Sequence, residues 1–182
     1  MKSLTRTFAV TVSLIVMLGA FPFALADDAG GVPQYAWTGF DLNSEVFGPL
    51  RIGMPARELG EILGSWQQAG EPVLWGADGL EHWDVVYGLP ELTVGLARSP
   101  GDEASAFVYA ILAFGPSEWK TARGLGIGDP VGLVKSLYAE VIDPQWDTDA
   151  NQGVLIGSLY GGILAGLKGG VVVSLYFGAM AE

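Results

Sequence analysis

The sequence predicts an α+β fold in which two tandem helix-plus-antiparallel-sheet units form one curved sheet with the helices on one side. Three observations lead to this prediction. A Gly-rich turn segment occurs twice, a short amphipathic helical pattern follows each copy, and strand-like segments bounded by turn residues follow each helical pattern. At 182 residues the chain is long enough for one ordinary domain.

The repeated turn segment spans residues 48–54 in its first copy and residues 124–129 in its second, and its Ile-Gly pair recurs after 75 positions. Glycine permits a turn with positive φ. The proline that follows each copy suits a helix start, because the N–H that it lacks would have no partner there. We therefore assign residues 46–120 to repeat unit 1 and residues 121–182 to repeat unit 2.

Unit 1 is predicted to contain a helix over about 55–66 and strands over about 80–114. Alternating apolar and polar residues indicate the strands. Residues 67–74 show neither pattern and are expected to form a connection. The apolar residues at i, i+3, i+4 and i+7 that would form one face of the helix are Leu59, Ile62, Leu63 and Trp66.

Unit 2 is predicted to contain a helix over about 130–141 and strands over about 154–179. Asp129 is expected to cap this helix with its side chain, and Pro130 to take the first helical position. Pairs of glycines within the strand region predict tight hairpin turns. The second unit therefore has the same order of elements as the first.

The start of the chain predicts export. A basic start and an apolar run precede Ala24-Leu25-Ala26, whose two alanines stand where signal peptidase reads small residues. We expect a signal peptide at 1–26, cleaved after Ala26, and an extended lead-in at 27–45. The mature chain is therefore expected in the periplasm or outside the cell, without stable membrane insertion.

Cysteine content and charge narrow the chemistry. The chain has no cysteine, which excludes disulfides, thiol nucleophiles, cysteine-ligated metals and a lipid-bearing cysteine. Its net charge of −11 repels nucleic acids and anionic lipids. We expect no nucleic-acid partner and no cofactor.

Catalytic candidates are few. His82 is the only histidine and is expected beside Asp84, facing solvent or lining a groove, with a plain exposed histidine as the preferred interpretation. Ser158 lies among glycines but within a predicted strand, without the strand-to-helix turn that presents a serine nucleophile. A hydrolase that uses the carboxylates of Glu81, Asp84 and Glu91 stays open as an alternative.

One acidic segment suggests a cation. Asp147, Asp149 and Asn151 have the spacing that begins a calcium-binding loop, although Gln152 stands where that loop needs glycine. A calcium- or glycan-binding module, or another small-molecule binder, is therefore kept as an alternative. We assign no catalytic, cofactor-binding or metal-ligating residue.

Aromatic residues are numerous, with six tryptophans and six tyrosines. Trp75 and Trp119 fall at the edges of the units, and Trp146 falls in the acidic segment. Exposed aromatic rings beside carboxylates suit the anchoring of a protein partner or stacking on a sugar, whereas buried ones would pack the units together.

The turn segments at 48–54 and 124–129, with the Phe-Gly pairs that close the units at 114–115 and 177–178, resemble motifs of exported bacterial tandem-repeat proteins. β-Lactamase inhibitory protein represents the fold of this family, and small outer-membrane assembly lipoproteins use a related single unit. The resemblance covers about residues 46–180 and implies both the fold and binding of other proteins through the sheet. This chain lacks the disulfides and the acylated cysteine of those proteins, so the resemblance supplies no target and no binding residue.

Together these observations predict an exported, non-enzymatic module that binds another protein of the bacterial envelope or secretome. The sheet face would be the binding surface, with aromatic anchors and acidic residues around them.

Overall fold

The computed structural model describes residues 39–87, 91–144 and 153–181, all of which belong to one compact unit. Within them, seven β-strands form a single antiparallel sheet and two α-helices accompany it, so the fold class is α+β. The predicted signal peptide and the candidate calcium loop lie outside these ranges.

The sheet order is β1-β2-β3-β4-β7-β6-β5, and every neighbouring pair is antiparallel. Neither described helix is long and apolar enough to span a membrane. The helices are α1 (Ala56–Leu63) and α2 (Val131–Tyr138), and the strands are β1 (Gln67–Leu74), β2 (Glu81–Tyr87), β3 (Glu91–Arg98), β4 (Phe107–Phe114), β5 (Gly153–Ser158), β6 (Gly161–Lys168) and β7 (Val171–Gly178).

The first four strands and the last three meet where β4 pairs with β7. Ile111 lies opposite Phe177 and Leu112 lies opposite Tyr176 in this central ladder. One buried cluster runs across the junction and includes Leu59 of α1 and Val134 of α2. Because both helices contribute buried side chains to this one cluster, the two halves share a hydrophobic core.

The two turn segments attach to the sheet through matching hydrogen bonds. The N–H of Gly53 donates to the carbonyl of Val108 at 2.8 Å, and the N–H of Gly128 donates to the carbonyl of Val172 at 2.8 Å. Each valine N–H donates back to the residue after the glycine, at 2.8 and 2.9 Å. Both glycines have positive φ, 76° and 94°, so other residues would strain these turns.

The first helix is shorter than predicted. It ends at Leu63, because Gly64 adopts a φ of 72° and its N–H bonds back to the carbonyl of Gly60. Trp66 therefore lies beyond the helix and is exposed, instead of completing the helical stripe. The second helix likewise ends at Tyr138, three residues before its predicted end.

The predicted connection at 67–74 is wrong, because these residues form the edge strand β1. Its side chains are exposed almost throughout, so the strand has no alternation of apolar and polar residues to reveal it. Gly70 and Pro72 further obscure the signal, since both residue types are depleted in strands. Pairing with β2 is what defines β1 as a strand.

The predicted cap of α2 is also wrong. Pro130, with a ψ of 149°, occupies the cap position and makes no side-chain cap hydrogen bond. The Asp129 backbone is engaged by Val172, and its carboxylate turns back to accept the N–H of Gly126 at 2.8 Å. Lys120 contacts the same carboxylate oxygen at 3.0 Å, so Asp129 stabilises the turn instead of the helix end. Pro55 similarly precedes α1 instead of starting it.

The two Phe-Gly pairs do not occupy matching places. Phe177 is 1% exposed and lies 5.6 Å from Phe47 between ring centroids, whereas Phe114 is 42% exposed. Successive strand residues face opposite sides of a sheet, and in β4 it is Ala113 that takes the core position. The similarity of the two pairs in sequence is therefore not a similarity of environment.

A buried polar cluster holds the end of the lead-in. The Glu45 carboxylate lies 3.5 Å from the guanidinium of Arg123, and the Tyr138 hydroxyl donates to the Thr121 hydroxyl at 2.7 Å. Burial raises the pKa of Glu45 above its ordinary value, although the charge of Arg123 opposes the rise. Phe40 packs edge-on against Tyr138, so this part of the lead-in contacts the body.

Candidate functional site

A groove of about 240 Å³ opens beside β1 and β2. Small-molecule sites usually enclose about 300–1,000 Å³, so this groove suits one side chain or a small head group. It combines aromatic walls with carboxylates, and its lining residues are Ala69, Glu71, Val73, Trp75, His82, Trp83, Asp84 and Tyr109.

A second depression of about 270 Å³ lies at the end of α2 and is lined by Lys135, Ala139, Ile142 and Pro144. Its lining residue Pro144 is the last described residue before 145–152, which are outside the described ranges. The groove beside β1 is therefore the better-defined candidate.

Two strand irregularities lie beside the groove. The register of β1 against β2 shifts between Ala69 and Val73, and the register of β3 against β4 shifts at Gly95. In β4 the shift leaves Tyr109 as an extra residue between two paired ones. Such bulges redirect side chains and recur next to binding and active sites.

Tyr109 lies across the glycine of the neighbouring strand. A Cβ atom at Gly95 would stand only 2.7 Å from an atom of the Tyr109 ring. Glycine is therefore required for the ring to lie flat on the sheet and to reach the groove.

His82 forms the centre of the aromatic wall. Its ring stacks on the Trp75 indole at 3.8 Å between centroids with 7° between planes, and the Tyr109 ring meets it edge-on at 4.5 Å. The histidine is only 5% exposed. The preferred prediction of an exposed His82 is wrong, because the chain after β1 turns back and places Trp75 over it. His82 lines a groove instead, as the alternative expected.

Asp78, in the turn between β1 and β2, orients this histidine. Its carboxylate lies 2.8 Å from Nε2 of His82 and also accepts the N–H of Leu80 at 2.9 Å. The bond from Leu80, followed by that from His82, lowers the pKa of Asp78. Because an ionised carboxylate can only accept, the proton is on Nε2 and Nδ1 is an acceptor in neutral His82. Nδ1 has no hydrogen-bond partner within the described structure.

Asp84 is the carboxylate next to this dyad on the same face of β2. Desolvation raises the pKa of Asp84, and the charge of His82 opposes the rise. The Asp84 charge acts in turn on Tyr176, whose pKa rises to about 12 mainly through burial. Asp84 is thus an exposed carboxylate that its surroundings partly desolvate.

The carboxylates of Glu81 and Asp84 do not come together. Residues three apart in a strand face opposite sides of the sheet. Glu81 accepts a hydrogen bond from Nε of Arg98 at 2.7 Å and is held on the other side. Glu91 begins β3, but its side chain is outside the described part of the molecule.

Ser158 is remote from His82. Their strands, β5 and β2, are seventh and second in the sheet, so five spacings of about 4.8 Å, roughly 24 Å along the sheet, lie between them. The strand order therefore does not favour a serine–histidine pair.

The other candidate residues, the tryptophans at the unit edges and the residues of the acidic segment, do not come together in one site among the described residues. Trp119 packs edge-on against Phe47 at 5.8 Å and belongs to the core boundary, whereas Trp75 lines the groove. Trp146 and the candidate calcium ligands Asp147, Asp149 and Asn151 lie outside the described residues. Among the residues that are described, no three His, Asp or Glu side chains gather as metal ligands would.

No family model, curated protein or solved structure matches this chain. The site therefore rests on its own geometry. Reasoning from sequence identified Trp75, His82 and Asp84 singly, but missed Asp78 and Tyr109. The short spacing of Trp75, Asp78 and His82 around a Gly-containing turn was the available signal for part of the cluster.

Proposed function

We propose that this protein is an exported, non-enzymatic module that binds another envelope or secreted protein, and that the groove receives a side chain of the partner. The observation that best supports this proposal is the Trp75–His82 stack, which forms one wall of the groove. Val73 and Leu74, next to it, are 58% and 62% exposed. Exposed apolar side chains around an aromatic anchor are typical of protein-binding surfaces.

The edge strand itself is poorly suited to pairing with a partner strand. Pro72 lacks an N–H, and the register shift between Ala69 and Val73 interrupts the strand. Glu71 adds a charge at the same place. The opposite edge is covered, because Ile142 bridges to Ile156 of β5. We therefore assign binding to side chains around the groove instead of to backbone pairing.

We further infer that residues 46–120 and 121–182 are copies of one unit and build a curved sheet, with both helices on one side. The matching hydrogen bonds of Gly53 and Gly128 support this organisation. Register shifts near Gly95 and Gly166 support bending of the strands in both halves. In the second half Val173 is the extra residue, where the first half has Tyr109. The aromatic groove would therefore belong to the first copy, residues 46–120.

The decisive experiment is affinity capture with matched variants. The mature chain from Asp27, Trp75→Leu and Trp66→Leu would each be immobilised and exposed to envelope and secreted extracts. We expect one protein, identified by mass spectrometry, that wild type and Trp66→Leu retain and Trp75→Leu loses. Equal retention by all three chains, or none by any, would contradict binding through the groove.

Two side measurements test the remaining parts of the proposal. The mass of the secreted chain should correspond to a first residue of Asp27, if the signal peptide is cleaved after Ala26. Washing the captured complex with a chelator separates the calcium alternative, because only a cation-dependent complex would be released. If the protein binds a glycan instead, no protein should be retained, and added sugar should raise the melting temperature of the chain.

A further inference from the structure

We infer that the groove selects a cationic side chain, the ammonium of lysine or the guanidinium of arginine, and this inference rests on the proposed function. Glu71 and Asp84 line the groove, and no lysine or arginine among the described residues lines it. The nearby Arg98 is already engaged with Glu81 at 2.7 Å and Glu103 at 3.7 Å. The groove thus has a negative local charge in a chain whose net charge is −11.

Nδ1 of His82 has no hydrogen-bond partner in the described part of the chain and can accept a hydrogen bond from a ligand. When the imidazole is neutral, Asp78 accepts its Nε2 proton and Nδ1 presents a lone pair in a side chain that is 95% buried. An acceptor without a partner in such surroundings is costly to leave unpaired. Ammonium and guanidinium groups carry several N–H donors, so one of them can bond Nδ1 while others face Asp84 or Glu71.

The aromatic walls favour the same class of ligand. A cation near the face of a tryptophan or tyrosine is attracted by the electrons of the ring. His82 covers one face of the Trp75 indole, and Trp75 also lines the groove. Nδ1 has less than 1 Å² of accessible surface, so a donor reaches it only when neighbouring groups shift. Binding must therefore alter the surroundings of His82, and this change is measurable.

Other ligand classes match the groove less well. An anion would meet Glu71 and Asp84, whose charges repel it. A metal ion needs several ligands at one point, and the described residues contain no such group. A neutral sugar could stack on Trp75, but it would neutralise neither carboxylate. A ligand that is both cationic and rich in donors satisfies the carboxylates, the lone pair and the rings together.

The single histidine makes the test direct. In the untagged mature chain, the carbon-bound imidazole protons of His82 can be followed by NMR during titration with Nα-acetyl-arginine amide and Nα-acetyl-lysine amide. The uncharged Nα-acetyl-citrulline amide serves as the matched probe. We expect the His82 chemical shifts to change and to saturate at millimolar concentrations of one or both cations, and to stay constant with the citrulline probe. No shift with either cation, or equal shifts with citrulline, overturns the inference.

Charge-neutral variants test the assigned carboxylates. Asp84→Asn and Glu71→Gln should each weaken cation binding by about tenfold, the effect of losing a charged hydrogen bond. Glu61→Gln, which removes a similar charge from the exposed side of α1, should leave it unchanged. The dispersion of the proton spectrum verifies that each variant is folded. Equal weakening by all three variants would mean a nonspecific charge effect and overturn the inference.

The two proposals fail in different ways. Partner capture that depends on Trp75, without a cation-induced shift of His82, supports protein binding and overturns the cationic side chain. A shift of His82 with free cations, without capture of any protein, supports a cation-selective groove and overturns protein binding. A captured partner that loses binding when its contacting lysine or arginine is replaced by glutamine supports both.

Discussion

The imidazole of His82 lies parallel to the indole of Trp75, with 3.8 Å between ring centroids and 7° between ring planes. The turn between them is closed by hydrogen bonds from Trp75 N–H to the Leu80 carbonyl and from Gly79 N–H to the Trp75 carbonyl, both 2.9 Å. This stack joins the end of an otherwise exposed edge strand to the rest of the sheet. It therefore sets both the local stability of β1 and the shape of the groove.

Replacing Trp75 by leucine should destabilise the fold by about 2 kcal/mol, because contacts with His82 and Tyr109 are lost and apolar surface becomes exposed. Urea denaturation measures this change. The His82 proton resonances should also move downfield as the ring current of Trp75 disappears. Trp66→Leu is the control, since Trp66 is exposed and lies beyond α1. Equal destabilisation by both variants would contradict a special role for the stack.

Gly95→Ala should destabilise the fold by about 1–3 kcal/mol, because the new methyl group overlaps the Tyr109 ring. Displacement of that ring should also perturb the His82 resonances. Gly132→Ala is the opposite control: Gly132 lies in α2 with open space around it, so alanine should stabilise by about 0.5–1 kcal/mol. Thermal unfolding of both variants measures whether each change lowers or raises stability. A Gly95→Ala chain as stable as wild type would contradict the close approach of the Tyr109 ring to Gly95.

Asp84→Asn should not destabilise the protein at neutral pH. The folded-state pKa of Asp84 is raised by desolvation, so the folded carboxyl holds its proton more tightly than the unfolded one. Ionisation therefore opposes folding above the folded pKa, and this penalty disappears below the ordinary value of 3.8. Asparagine carries no such penalty. Denaturation at pH 7 and pH 3 should show an advantage for the variant that shrinks on acidification; the reverse trend would contradict the assignment.

Tyr87→Phe should leave stability unchanged or increase it by about 1 kcal/mol. The hydroxyl of this buried residue has no partner among the described groups, and burial raises the pKa of Tyr87 to about 12. Removing an unpaired buried polar group removes its desolvation cost. Tyr138→Phe provides the contrast, because its hydroxyl bonds Thr121 at 2.7 Å and its loss should cost about 1 kcal/mol. Calorimetric unfolding compares the pair, and a large loss for Tyr87→Phe would reveal a missing partner.

The fold class could be predicted because its signals are local. Residues around Gly53 and Gly128 encode turns through glycine and proline, and the alternation of Val85 and Tyr87 with polar neighbours encodes a strand. The edge strand β1 could not be predicted, because it shows no pattern of its own and becomes a strand by pairing with β2. The short helices were overestimated because apolar spacing continued past Gly64, where the backbone turns away.

The groove depends on contacts that no short stretch of sequence encodes. Trp75 and His82 come together through a turn, but Tyr109 reaches them only because β4 carries an extra residue and Gly95 leaves room for a ring. Asp78 was inconspicuous among many acidic residues until the turn placed it beside Nε2. These are relationships between strands, and register decides them.

The sequence by itself determined the α+β class, the turns at the glycine–proline segments, the absence of cysteine chemistry and the acidic character of the chain. Each depends on composition or on residues close together in the chain. The tertiary structure alone decided that His82 is buried, that Glu81 and Asp84 face opposite sides, and that one aromatic groove opens beside β1. The physical reason is that burial and register arise from pairing between distant segments, so the same residue type can be exposed or enclosed according to the strand it meets.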